Sequence, residues 1–105
     1  MPKFEIEIAD LAAKELKGLR AFDRRRVVEE VERQLADQPT EVSKNRKRLD
    51  SAVPDFERVA PIWELRVGEF RVFYDVDEPA QTVFVRAVRP KRQDQTTEDA
   101  IGERD

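Results

Sequence analysis

The residues best able to do chemistry in this chain are cationic, and they gather in its second half. The segment WELRVGEFRVFYDVD, residues 63 to 77, sets Arg66 and Arg71 on either side of Gly68-Glu69. A glycine-first, two-residue link between alternating runs predicts a hairpin with a type II′ turn. In that register Val67 faces Phe70, Leu65 faces Val72 and Trp63 faces Tyr74 on one side of the sheet. On the other side Arg66 lies opposite Arg71, and Glu64 opposite Phe73. Like charges directly opposed across strands are destabilising. Arg86 is expected on this second face with Phe84 and Val88, and Arg89, Lys91 and Arg92 stand near the end of the last strand. Guanidinium forks for phosphates, mixed with Phe73 and Phe84 for unstacked bases, are the chemistry of an RNA-binding surface. An ion-pair cluster built on Glu64, adjacent to Arg66 and diagonal to Arg71, explains the same arrangement.

Other charged groups carry the same double reading. The run Lys44-Asn45-Arg46-Lys47-Arg48 can grip a phosphate backbone, with Arg46, Lys47 and Arg48 as its contacts, or be a solvated loop. Arg24-Arg25-Arg26 fall in the first turn of a helix, where positive charge opposes the macrodipole. Pairing with Glu29 and Glu30 at helical spacing is the favoured account of that run. Tyr74 is the only tyrosine, and its register points it to the core rather than to catalysis.

The elements that must position these groups follow from periodicity. KFEIEI, residues 3 to 8, alternates as a half-buried strand. Asp10 is expected to cap a helix whose face is Ala12, Leu16 and Leu19. Asp23 is expected to cap a second, with Phe22 and Val27 as a hydrophobic staple and Val27, Val31 and Leu35 as the apolar stripe. Pro39 follows its end. The short link between the helices predicts an αα-hairpin. Residues 40 to 60 read as a long polar loop with room for a short turn of helix or strand. Asp77 to Gln81 is a second turn, and TVFVRAVR, residues 82 to 89, the last strand. The predicted fold class is α+β, with the order β-α-α-β-β-β and a small sheet packed on the helical pair.

Composition bounds the function. The chain has 105 residues, 39% hydrophobic and 41% charged, with no cysteine and no histidine. Thiolate chemistry, disulfides and imidazole catalysis are excluded, and no metal or cofactor is expected. No apolar run approaches a membrane span, so a cytoplasmic protein is expected. The net charge of −3 hides a gradient. Residues 1 to 43 carry net −2, residues 44 to 93 net +3, and residues 94 to 105 net −4. An acidic overall charge therefore does not argue against a nucleic-acid partner. Residues 1 to 93 form the expected domain, followed by an acidic tail, 94 to 105, expected to be disordered.

The order of elements and the segment from Trp63 to Asp77, with Asn45 to Leu49 before it and Thr82 to Arg92 after it, resemble the RelE/ParE toxin superfamily. The resemblance implies a toxin of a type II toxin–antitoxin system, neutralised by a cognate antitoxin that covers its basic face. RelE-like members cut messenger RNA on the ribosome; ParE-like members inhibit DNA gyrase. Carried over by position, Arg66 and Arg71 match the basic residues of the hairpin. Lys91 matches the basic residue after the last strand, a role that a shift in alignment gives to Arg89 or Arg92. Glu64 stands where a basic residue is frequent, and Pro90 near where some relatives have histidine. Gln95, Thr96 and Thr97 occupy the region of a C-terminal tyrosine. Arg66 and Arg71 can stabilise a crowded phosphate, while Lys91 and Glu64 are the nearby groups for acid–base work. A degenerate toxin that only binds its antitoxin is the third alternative, beside the endoribonuclease and the gyrase inhibitor.

Overall fold

In chain order the elements are β1 (Glu5–Ile8), α1 (Asp10–Lys17), α2 (Ala21–Leu35), β2 (Arg46–Leu49), β3 (Ile62–Val67), β4 (Phe70–Asp77) and β5 (Thr82–Pro90). The structure is a computed structural model and describes residues 3–50 and 54–91. The acidic tail and Arg92 lie outside the described residues. The strands form one sheet in the order β1-β5-β4-β3-β2, with β1 parallel to β5 and every other pairing antiparallel. The fold is α+β, as the periodicity implies. It gains one strand, β2, inside the stretch expected to be mostly loop. A run of charged residues hides a strand because it shows no apolar alternation. Edge position explains why such a strand is tolerated: charge on an edge discourages further pairing.

Both helices drop their apolar stripes onto one face of the sheet. Ala12 and Leu16 of α1 and Val27, Val31 and Leu35 of α2 are buried against Trp63, Leu65, Val72, Tyr74, Val83 and Val85. The spacing of four between the valines of α2 makes that stripe. The expected caps are not where the helices start. Ala9 precedes α1, its N–H donating to the Val85 carbonyl at 2.9 Å, so this last ladder bond fixes the entry and leaves Asp10 inside the first turn. Arg20 precedes α2, which begins two residues before Asp23. Neither cap makes a side-chain hydrogen bond, and Phe22 is 72% exposed, so no staple forms. Asp23 still complements the positive end of the helix from its first turn.

The central hairpin has the predicted register: Trp63 against Tyr74, Glu64 against Phe73, Leu65 against Val72, Arg66 against Arg71 and Val67 against Phe70. Gly68 has φ +58°, while Glu69 is not in the left-handed region, as a type II′ turn requires. The pairing of β4 with β5 departs from simple alternation. Phe73 pairs with Ala87 and Tyr74 with Val85, which leaves Arg86 as an extra residue in a β-bulge. The bulge restarts the period, so Val88 turns to the helices and joins the main core. The expectation that Val88 shares the second face with Phe84 and Arg86 is corrected for this reason. The second face also has a small core of its own, where Phe56, Ile62, Phe73 and Ala87 pack together with Leu49 against them.

Tyr74 is fully buried and its hydroxyl donates to the Pro39 carbonyl at 2.6 Å, tying β4 to the segment after α2. Burial pushes its phenol above the ordinary tyrosine range. The neutral form is favoured by folding, so the associated stability is full below the unfolded value near 10 and declines as pH rises beyond it. Phenolate absorbance should therefore appear only together with unfolding, and Tyr74→Phe should cost about 1 kcal/mol in denaturant melts at neutral pH. Ionisation of a still-folded protein near pH 10 would contradict this placement.

Candidate functional site

The hairpin end of the sheet collects cations by two devices. One is the register that opposes Arg66 and Arg71. The other is the end of β5, where the Lys91 N–H donates to the Glu69 carbonyl at 2.7 Å and fastens that residue to the turn. Arg66 is exposed, whereas Arg71 is buried at 6% exposure. The Arg71 guanidinium is anchored by Nη1, which donates to the carbonyls of Gly68 and Phe70, both at 2.9 Å. Burial lowers its affinity for the proton, Arg66 adds to that effect and Glu64 opposes it. An arginine so placed remains a cation near neutrality.

Glu64 provides the one anionic element. Lys47 faces it across the β2–β3 pair, with Nζ 3.6 Å from Oε1. Its Oε2 is the only buried side-chain nitrogen or oxygen among the described residues that lacks a hydrogen-bond partner. Buried polar atoms are normally satisfied, so an orphan of this kind calls for an explanation. Glu64, Arg66, Arg71 and Lys91, the four residues expected to act on substrate, line one cavity of about 210 Å³ together with Lys44, Arg46 and Lys47. The chemistry the cavity can offer is stabilisation of a dense negative charge beside a single acceptor oxygen.

Several other residues expected to touch RNA have partners within the fold. Arg46 is 8% exposed, and donates to the Glu41 carbonyl at 2.9 Å and to Gln34 Oε1 at 3.1 Å. Strand alternation is the reason: of the neighbours Arg46, Lys47 and Arg48, only Lys47 shares the face of Glu64. Arg48 pairs with Asp50. Phe73 has no exposed surface and packs under Phe56, ring centroids 5.8 Å apart, so it has no face to offer a base. Arg86 is held by Asp75 at 2.6 and 3.2 Å and by Glu57 at 3.7 Å, with its guanidinium 4.9 Å from the Phe84 ring centroid. Arg89 bridges Glu15 at 2.9 Å and Asp55 at 3.0 Å. Arg86 and Arg89 are thus both engaged in ion pairs with carboxylates of the fold. Arg92 lies outside the described residues.

Sequence periodicity misses the group that organises this face. Asp75 is 2% exposed and accepts from Arg86 and from the Val59 N–H at 3.0 Å, which straps the segment before β3 onto the sheet. Alternation gives no signal for it, since it puts Asp75 with Arg71 and Phe73 on the face away from the helices, and only the second small core with the segment before β3 covers it there. Arg86→Ala should destabilise the fold by about 3 kcal/mol in denaturant melts through the stranded carboxylate. A variant as stable as the wild type would contradict this structural role.

A second, apolar groove of about 450 Å³ lies among β1, α1 and α2, walled by Phe4, Ile6, Ile8, Val28 and Val31. No helix among the described residues is long and apolar enough to cross a membrane.

Solved structures similar to this chain include the RelBE2 toxin–antitoxin complex of Mycobacterium tuberculosis, 22% identical with TM-score 0.66, covering 86% of this chain and 99% of that one. They also include the archaeal RelE–RelB complex of Pyrococcus horikoshii, 21% identical with TM-score 0.66, covering 86% and 97%. At these identities the likeness establishes the fold. No curated protein matches the chain. The model of the ParE toxin of type II toxin–antitoxin systems matches residues 6–95, which spans both helices, the sheet from Ile6 onward and the cavity. The chain therefore belongs to the ParE toxin family, within the RelE/ParE superfamily, and is a toxin of a type II toxin–antitoxin system.

Proposed function

We propose that this toxin blocks translation by cutting messenger RNA on the ribosome, with scission in the cation-lined cavity at the hairpin. The observation that carries this reading is the meeting of Arg66, Arg71 and Lys91 with an unpartnered carboxylate oxygen of Glu64 in one cavity. The chain needs no external nucleophile for this reaction. A ribose 2′-hydroxyl attacks the neighbouring phosphorus and gives its proton to Glu64. The bond from phosphorus to the 5′ oxygen breaks, and Lys91 supplies the proton that the departing oxygen takes. The products are a 2′,3′-cyclic phosphate and a free 5′-hydroxyl. Arg66 and Arg71 stabilise the extra negative charge on the five-coordinate phosphorus. Tyr74 takes no part, since its hydroxyl is buried on the helical side.

A cognate antitoxin is the second partner. The two similar structures are both complexes with an antitoxin. The apolar groove beside β1 suits the hydrophobic side chains of a peptide, while the basic cavity suits acidic ones.

Inhibition of DNA gyrase is a second reading, favoured by the match to the ParE toxin model. The two separate cleanly on induced expression. Messenger RNA cleavage predicts growth arrest with new message 5′ ends that carry hydroxyls. Arg71→Ala should abolish both, and Glu64→Gln should slow cleavage in a translating extract by roughly 10²- to 10⁴-fold, the usual contribution of one acid–base group. Intact messages accompanied by DNA damage and gyrase binding would decide for the other target.

A further inference from the structure

Helix α2 opens with a run of arginines, and Arg26 in particular has no conventional partner. Glu30, its neighbour one turn on, is taken by Arg33 at 2.7 and 2.8 Å and by Gln34 at 2.9 Å. Arg26 acts on Glu30 only as a distant charge. Among the described residues no hydrogen bond or ion pair holds the Arg26 guanidinium. It lies instead against the hairpin turn: a Cβ placed on Gly68 would stand 2.8 Å from Nη1, 2.9 Å from Nη2 and 3.0 Å from Cζ. The carbonyl of the same glycine accepts from Arg71. One residue is thus flanked by two guanidiniums, which standard backbone dimensions place roughly 9 Å apart at most.

Two hollows meet at this point. Arg26 and Arg66 line one of about 310 Å³, and Arg66 and Arg71 line the cavity of about 210 Å³. Arg66 and Asn45 belong to both. Glu29 and Glu30 form part of the wall of the first hollow, and the charge of Glu30 is already met by Arg33. Three guanidiniums so close together repel one another within a Debye length at ordinary salt. A chain of regularly spaced phosphates relieves all three at once.

We propose that Arg26 binds the phosphodiester adjacent to the one at Arg71, so that a message strand leaves the cavity over the Gly68-Glu69 turn and reaches α2, with Arg66 shared between the two phosphates. The assignment rests on the RNA-cleavage reading and extends it to a second subsite. It gives the glycine a purpose beyond its backbone angle: a side chain there would push Arg26 away from the path.

The test is binding of a short labelled RNA, 2′-O-methylated so that it is not cut, measured by fluorescence anisotropy over a range of salt. Uridine 3′-monophosphate, which carries a single phosphate, is the companion ligand. Arg26→Ala should weaken the RNA several-fold and reduce the slope of log affinity against log salt by about 0.7, the value for one phosphate on a single strand. It should leave the mononucleotide unaffected, whereas Arg71→Ala should weaken both ligands. Arg26→Lys should restore most of the slope, and thermal melts should show that each variant folds. An unchanged slope in Arg26→Ala overturns the proposal alone, as does equal weakening of both ligands or a defect seen only in binding to ribosomes. Wild-type protein that binds no RNA overturns the cleavage reading together with it.

Discussion

The β3–β4 pairing fixes what every other part of the molecule can do. With Gly68 in the left-handed region, the turn takes two residues and only one register closes it. That register sends Trp63, Leu65, Val67, Phe70, Val72 and Tyr74 to the helices and the charged set to the opposite face. A slip of one residue would exchange the two faces, burying guanidiniums under α1 and α2. The apolar face therefore enforces the opposition of Arg66 and Arg71, which electrostatics alone would not choose. Core packing sustains a repulsion of like charges on the far side of the same strands.

How that repulsion is borne is visible in the local bonding. Arg71 directs two hydrogen bonds back to the carbonyls of its own turn, so its charge is solvated by the backbone that carries it. Lys47 approaches Glu64 from β2, yet at 3.6 Å the contact is loose and Oε2 stays unmatched. The cavity is therefore neither a satisfied ion-pair network nor an apolar core. It has an excess of positive charge and one acceptor oxygen in reserve, the inverse of what stability would select. By contrast Arg86 and Arg89 on the same face are fully engaged with carboxylates. One sheet face thus holds two kinds of arginine, distinguished by their anionic neighbours and not by residue type.

Sequence periodicity revealed what repeats and missed what interrupts. The stripes Ala12–Leu16 and Val27–Val31–Leu35, the hairpin register and the core position of Tyr74 were all legible, because each follows a period of 3.6 or 2. Strand β2 is not legible in this way because Arg46, Lys47 and Arg48 show no apolar alternation, although their directions alternate. The bulge at Arg86 moved Val88 to the other face, since an inserted residue leaves no mark in composition. The segment around Phe56 depends on contacts made across 17 residues of sequence, from Phe56 to Phe73, and no local pattern announces them. The four proposed catalytic residues were found together because three sit on the hairpin and the fourth follows the strand beside it.

Phe73 shows why the misread residues still matter to the site. As a buried residue it cannot stack on a base, but it pairs directly with Glu64 across the hairpin. The small core of Phe56, Ile62, Phe73 and Ala87 therefore forms a dry flank beside the carboxylate. Water kept from that side cannot satisfy Oε2, and charge in such surroundings acts more strongly than it does in solvent. The strap that buries Phe73 is itself held by Asp75 and Arg86, and by Arg89 with Asp55. Asp75, Arg86 and Arg89 thus act on the cavity at one remove: they hold down the cover that keeps one side of the Glu64 oxygen dry.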